Sequence, residues 1–375
     1  MAVYKLFPSA DATIYSAFPA INTGLDEILE VNTSTEVSAL QGITPYPQVS
    51  RALIKFDTAE ISDIFTNNIK TSAWQASLKL LAANVTGIAD TTTLAVNALA
   101  EDWSMGTGKY ADSPETQNGV SWIWRSSSGS NAWTTSGFTA GTTGSYNLST
   151  NLYSAGGGTW YTAPQASQSF DYYSTVDLNF NITPIVDAWN SGSINKYGLI
   201  VRQTESQEFI ASVNNTSTLK YFSRDTHTIY PPCLELKWDD STYNTGSLTL
   251  LSGTPAIVAL DNNPGVFYPE SINTFRVNAG LQNPKRVWQT ASLYTINYAL
   301  PEASYYAIKD LDTDEYVVDF DTTYTKVSCD STGNFFTVYM NGLEPERYYK
   351  ILIQSTIGAS TIVFDNQYNF KVING

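Results

Sequence analysis

Residue types able to do chemistry are sparse in this chain. There is one histidine, His227 in SRDTHTIY (223–230), and there are two cysteines, Cys233 and Cys329. A His-based triad or acid–base device needs an acidic or nucleophilic partner within hydrogen-bond reach. Nothing in the sequence fixes one, so His227 reads as an ordinary surface or edge-strand residue. A zinc site needs several His or Cys ligands, which argues against such a centre. The cysteines are far apart and read as two buried free thiols. Glycoside hydrolysis needs a carboxylate pair, and Glu101 and Asp102 beside Trp103 are the nearest candidates. Adjacent strand residues point to opposite faces, however, so the two would converge only at a bulge. DLDTDEYVVDFD (310–321) sets Asp310, Asp312 and Asp314 at alternating positions and Asp321 at the twelfth, a partial copy of a calcium loop. Glu315 stands where that loop needs glycine, and Asp321 where it needs a bidentate glutamate. A solvated hairpin turn explains the run better. No phosphate-binding, zinc-protease or nucleophile-elbow motif occurs in a supporting context, and no cofactor is expected.

The aromatic residues are more telling. Five of the nine tryptophans fall between 103 and 160: Trp103, Trp122, Trp124, Trp133 and Trp160. The stretch GVSWIWRSSSGSNAW (119–133) holds three of them. If 120–125 is a strand, Val120, Trp122 and Trp124 share one face and Ser121, Ile123 and Arg125 the other. Such rings could stack on a sugar with Arg125 giving directional bonds, fill a protein interface, or pack into the core. The alternation favours a buried surface. It leaves Trp133 and the 126–132 loop as the exposed candidates.

Short alternating segments surround these residues. ATIYSAF (12–18), DEILEV (26–31), SRALIKFD (50–57), ASLKLLAA (76–83), TTLAVNALA (92–100), KYGLIVRQ (196–203) and PCLELKWD (232–239) read as strands. In SRALIKFD, Ala52, Ile54 and Phe56 oppose Arg51, Leu53 and Lys55. Two helices of about two turns interrupt them. AEISDIFTNNIK (59–70) carries an apolar stripe of Ile61, Ile64, Phe65 and Ile69. ITPIVDAWNSGS (182–193) has Thr183 as a cap, Pro184 in its first turn and Gly192 as its stop. The stretch 104–175 reads as long loops and edge hairpins. Beyond 240 come EYVVDFD (315–321), TYTKVSC (323–329), NFFTVYM (334–340), YYKILIQ (348–354) and TIVFD (361–365), spaced as in a second sandwich.

Composition narrows the functional classes. The 375 residues carry a net charge of −15, with 12 basic and 22 acidic residues before 241 and 8 and 13 after it. Phosphate backbones and anionic bilayers would be repelled, so no nucleic acid and no membrane insertion are expected. No 18-residue apolar run exists, and the start MAVYKLFPSADATIY lacks a signal peptide of the usual kind. Synthesis in the cytoplasm is the expectation.

Residues 1–240 resemble the disaggregatase-related repeat (DNRLRE) β-sandwich family. ADATIY (10–15), the NTG turn (22–24), SRALIKFD (50–57), AEDWSMG (100–106), GVSWIWR (119–125), TPIVDAWNSGSINKYGLIVR (183–202) and PPCLELKW (231–238) match it in order. FSRD (222–225) departs from the family's serine–glutamate type of closing segment, and the 126–175 loops are long. Residues 241–375 resemble immunoglobulin-like modules, and GLEPERYYKILIQ (342–354) resembles their late strand, where a tyrosine packs near a loop. The combination is similar in architecture to tailed-bacteriophage virion structural proteins. It implies an all-β chain: a large antiparallel, jelly-roll-like sandwich with long loops (1–240), then an immunoglobulin-like sandwich with its entry linker (241–375). The implied function is a non-enzymatic virion component in the tail, baseplate, fibre attachment or capsid exterior. It would assemble with other virion proteins as part of a symmetric oligomer. The alternatives are a carbohydrate-binding module for a cell-surface polysaccharide and a polysaccharide-cleaving enzyme. Trp103, Trp122, Trp124, Arg125, Trp133 and Trp160 are the candidate binding residues, with no catalytic residue assigned.

Overall fold

A computed structural model describes residues 2–36, 46–88, 91–134, 146–147, 152–153, 156–171, 173–204, 207–208, 217–261, 263–284 and 296–374. Of the stretch read as long loops, 135–145, 148–151, 154–155 and 172 lie outside the described residues. The fold is all-β, with two α-helices among the described residues. The chain divides into two compact units. The N-terminal unit comprises Leu6–Asn68 and Gln75–Glu235. The C-terminal unit comprises Met1–Lys5, Ile69–Trp74 and Leu236–Gly375.

In the N-terminal unit an eight-stranded sheet runs in the order Trp160–Phe170, Thr92–Leu99, Leu199–Gln203, Tyr46–Lys55, Ile28–Glu36, Ser217–Phe222 and Ala82–Thr86, with Ala10–Tyr15 pairing off this path. Tyr46–Lys55 is the pivot. Its first four residues pair with Ile28–Glu36, and its last six with Ala10–Tyr15. A second sheet sets Leu178–Asn181 antiparallel to Trp74–Leu80, with Cys233–Trp238 on the other side of that strand. The stretch read only as loops and hairpins also supplies Trp160–Phe170, eleven residues paired along Thr92–Leu99.

Both helices form. Asp57 caps Thr58–Ile64, its Oδ1 accepting from Ala59 N at 2.8 Å, and a π-helical turn, Phe65–Ile69, extends it. Thr183 is not the cap of Thr183–Asn190. Ile182 holds that position without a side-chain bond. Asn181 Oδ1 instead accepts from Thr183 N at 3.1 Å, while Thr183 Oγ1 accepts from Ala76 N at 3.0 Å. A threonine one residue late serves the neighbouring strand better than its own helix. Ile185, Val186 and Trp189 are buried as the periodicity requires.

In the C-terminal unit a four-stranded sheet (Ala256–Leu260, Ile272–Leu281, Gly333–Tyr339, Ser328–Asp330) and a five-stranded sheet (Val266–Phe267, Ser360–Val372, Tyr348–Ile357, Ser304–Asp310, Tyr316–Val318) share one core. Its centre is a run of rings. Tyr306 stacks on Phe336 at 4.4 Å, Phe336 on Phe275 at 5.4 Å, and Phe370 meets Tyr349 at 5.6 Å. Tyr349 is buried and its hydroxyl donates to Glu344 O at 3.1 Å. The bond ties the start of this strand to the backbone just upstream, in the manner of a tyrosine corner.

Candidate functional site

The tryptophan stretch is not a strand over 120–125. Regular pairing begins only at Trp124–Ser126. Val120, Ser121 and Trp122 are all buried, whereas Trp124 and Arg125 are half-buried. Trp122 and Trp124 therefore do not share a face. Trp133, expected to be exposed, is 2% exposed, and its Nε1 donates to Ser121 O at 3.0 Å. Trp103 is also buried and donates to Tyr197 O at 3.0 Å. The local reason is backbone bonding. Ser121 N bonds Trp124 O and Val120 N bonds Ser104 O, so the segment folds back on itself instead of extending.

Trp122 and Trp160 do stack a cation, but it belongs to the protein. The Arg51 guanidinium lies 4.8 Å from the Trp122 ring and 5.1 Å from the Trp160 ring, and Arg51 is wholly buried. Its Nε and Nη2 donate to the two oxygens of Glu208 at 3.0 and 2.7 Å. Nη1 donates to Gly157 O at 2.5 Å. Arg202 stands 4.7 Å from the Trp160 ring, also buried. On a desolvated ring each cation–π contact is worth about 2 kcal/mol. Gly157 is required here. Its φ is +77°, and a Cβ would come within 2.6 Å of Arg51 Nη1. Sequence reading missed Arg51, Glu208 and Gly157 as a site; an arginine in an otherwise strand-like run and, far along the chain, a Gly-Gly-Gly at 156–158 were the available signals.

The other candidates are also engaged. Glu101 accepts from Thr134 N and Oγ1, both at 2.9 Å, and lies 3.8 Å from Arg125 Nε. Arg125 Nη1 donates to Asp102 O at 3.0 Å, and Asp102 pairs with Lys55 at 2.5 Å. Glu101 and Asp102 thus anchor the loop, and neither lies in a regular strand. His227 is 87% exposed, 3.6 Å from Glu27. Asp310 takes a bidentate grip from Arg347 (2.6 and 2.8 Å) and accepts from Asp312 N and Thr313 N. Burial alone would raise its carboxyl, but Arg347 and these N–H groups hold it below the ordinary range. Asp314 turns away to Lys309. Among the described residues no group of three or more His, Cys, Asp or Glu could hold a metal ion, and both cysteines are buried.

Two exposed regions stand out. The first is a cleft of ≈ 280 Å³ in the N-terminal unit, walled by Tyr15, Tyr110 and Lys109 with Asp26, Glu30 and Lys220. Asn22 builds it. Wholly buried, its Nδ2 donates to Met105 O (2.7 Å) and Val120 O (2.8 Å), while its Oδ1 accepts from Gly108 N (2.8 Å). The side chain so pins the loop that carries Tyr110. The NTG turn that helped carry the family resemblance is therefore a clamp on the tryptophan loop. The second place is the C-terminal unit, which holds 11 of the 15 exposed large hydrophobic side chains among the described residues.

No protein-family profile matches the chain, and no curated protein matches it. Among solved structures, a DUF4785 family protein from Legionella pneumophila aligns at 8% identity with a TM-score of 0.17, over 98% of this chain and 66% of that one. A likeness that slight carries nothing about fold or function. Among the described residues no helix is long and apolar enough to cross a membrane.

Proposed function

We propose that this chain is a non-enzymatic structural protein of a tailed-bacteriophage virion, working by assembly with other virion proteins in a symmetric oligomer. The observation that carries this reading is the exposed apolar surface of the C-terminal unit. Tyr268 and Ile272 are each 58% exposed, Tyr348 51% and Leu250 50%. Exposed apolar side chains that cluster mark places where proteins meet, and aromatic residues are favoured at the centres of such places. The engagement of Glu101, Asp102 and Asp310 in internal contacts supports a structural role over a hydrolytic one. The resemblance to sandwich and immunoglobulin-like virion proteins supports the same direction.

Mass spectrometry of purified particles from the phage encoding this chain tests the reading. The protein is expected as a stoichiometric component, and absence from intact particles would overturn it. Sedimentation of the purified chain should show self-association that Tyr268→Ser with Ile272→Ser weakens.

A further inference from the structure

We propose that the cleft walled by Tyr15 and Tyr110, with Phe18 packed on Tyr110, binds a neutral pyranose ring of a glycan. This is a separate activity from assembly and sits in the other unit. Phe18 and Tyr110 are 44% and 47% exposed, and their rings meet edge to face at 5.6 Å. Tyr15 meets Tyr110 at 5.1 Å with a 54° tilt. The three rings form an aromatic corner, and the exposed parts of Phe18 and Tyr110 give it apolar area of the kind that packs on the C–H faces of a pyranose. The volume, ≈ 280 Å³, suits one ring better than an extended chain, because drug-sized ligands fill about 300–1,000 Å³.

Polar groups stand where hydroxyls would reach. Lys220 pairs with Glu30 at 2.6 Å and Lys109 with Glu27 at 3.7 Å, so the wall holds both donors and acceptors. Asp26 is half-buried and accepts from Tyr110 N at 3.1 Å. Burial pushes its carboxyl up to about 6; Tyr110 N–H and Lys109 oppose the rise, while Glu30 and Asp112 add to it. Near neutral pH such a group accepts strongly and still samples the donor form. Three carboxylates against two ammoniums disfavour an anionic ligand. The corner is also pre-formed: Gly108 is held by Asn22 and Tyr110 N by Asp26. Little ordering is then needed on binding. Of the tryptophans that sequence alone nominated for this task, Trp122 and Trp160 are occupied by Arg51 and Trp103 and Trp133 are buried, so the sugar-binding role passes to residues outside the tryptophan stretch.

Saturation-transfer NMR on the full chain, with maltotriose, chitotriose and mannotriose as neutral probes and trigalacturonic acid as the anionic control, tests the proposal. At least one neutral trisaccharide should bind, with the loss of affinity tenfold or more in Tyr110→Ala and in Phe18→Ala at unchanged melting temperature. Tyr110→Phe should keep binding, which separates ring stacking from loop collapse. No neutral probe bound at millimolar concentration, binding of the acid alone, or binding within twofold of wild type in both alanine variants would overturn it. Particle incorporation is read independently, so either result leaves the assembly reading to its own test.

Discussion

In the N-terminal unit the large aromatic rings are packed around charge. Trp122 and Trp160 enclose the Arg51 guanidinium, and Glu208 closes the pair. In the C-terminal unit the rings are packed around one another, with Tyr306, Phe336 and Phe275 in a stack and the Asp310–Arg347 pair at its margin. The first arrangement demands that every polar atom be placed, because a buried ion left alone costs several kcal/mol. The second asks only for shape and tolerates small changes of volume. Similar aromatic content thus gives one core that depends on a specific network and one that depends on packing.

The sharpest way to break this contrast is to remove one carboxylate from each unit. Glu208→Ala strands a wholly buried guanidinium and should cost about 3–5 kcal/mol. Asp310→Ala leaves Arg347, whose side chain is 19% exposed, able to turn to water, and should cost about 1–2 kcal/mol. Urea unfolding of both variants measures the difference, and equal losses would erase the distinction. Next in size is Asn22→Ala. It leaves the Met105, Val120 and Gly108 backbone groups without their shared partner, at roughly 3 kcal/mol in total. Faster hydrogen exchange confined to residues 103–123 should accompany it.

How much of this could be read from the sequence follows from what periodicity reports. The alternation in SRALIKFD and in PCLELKWD located strands well, because a period of two is local and survives whatever packs above it. Alternation cannot tell whether the second face meets water or a loop. Alternation sets Arg51, Leu53 and Lys55 on one face of the strand and says nothing of what meets that face. That face is covered by the tryptophan loop, with Arg51 and Leu53 buried and Lys55 5.6 Å from the Trp103 ring. The same limit misplaced Trp133 and Trp124, since irregular backbone from 119 to 123 has no period to extrapolate. A tyrosine packed near a loop was expected within GLEPERYYKILIQ (342–354), from a local pattern of a turn followed by a strand, but which of Tyr348 and Tyr349 it is was not. The Tyr15–Tyr110 cleft was not legible, because it joins residues 95 apart in sequence through a clamp at Asn22.

Protonation separates the units in a gentler way. Asp11 is buried, with Oδ2 accepting from Arg224 N at 2.7 Å and Oδ1 without a partner among the described residues. Burial, eased in part by the Arg224 N–H, raises its pKa from 3.8 to about 7. A folded pKa above the unfolded one means stability is greatest below about pH 4 and declines as pH rises through 7. In the C-terminal unit Asp330 behaves oppositely. The Thr332 hydroxyl, with Arg276 adding, draws it down to about 2, so its contribution holds above about pH 4 and disappears only in stronger acid. Acidifying from pH 7 to 5 should therefore stabilise the protein through Asp11 by roughly 2 kcal/mol. Asp11→Asn should be more stable than wild type at pH 7.5 and lose this part of the pH dependence. A variant whose melting temperature keeps the full wild-type slope between pH 5 and 7 would exclude Asp11 as its source.

The smallest expected effect is the most exacting for the packing side of the contrast. Tyr349→Phe deletes only the hydroxyl that donates to Glu344 O; the ring keeps its place against Phe370. If the C-terminal core is held by shape, the loss is that of one hydrogen bond, about 1 kcal/mol, with the Glu344 carbonyl free to find water. A loss of roughly 3 kcal/mol or more would mean that this corner bond fixes the turn before Tyr348–Ile357, and with it the register of the strand. The C-terminal unit would then depend on a single polar anchor much as the N-terminal unit depends on Glu208. The difference between the two cores would be one of chemical type, charge against hydroxyl, and no longer one of principle.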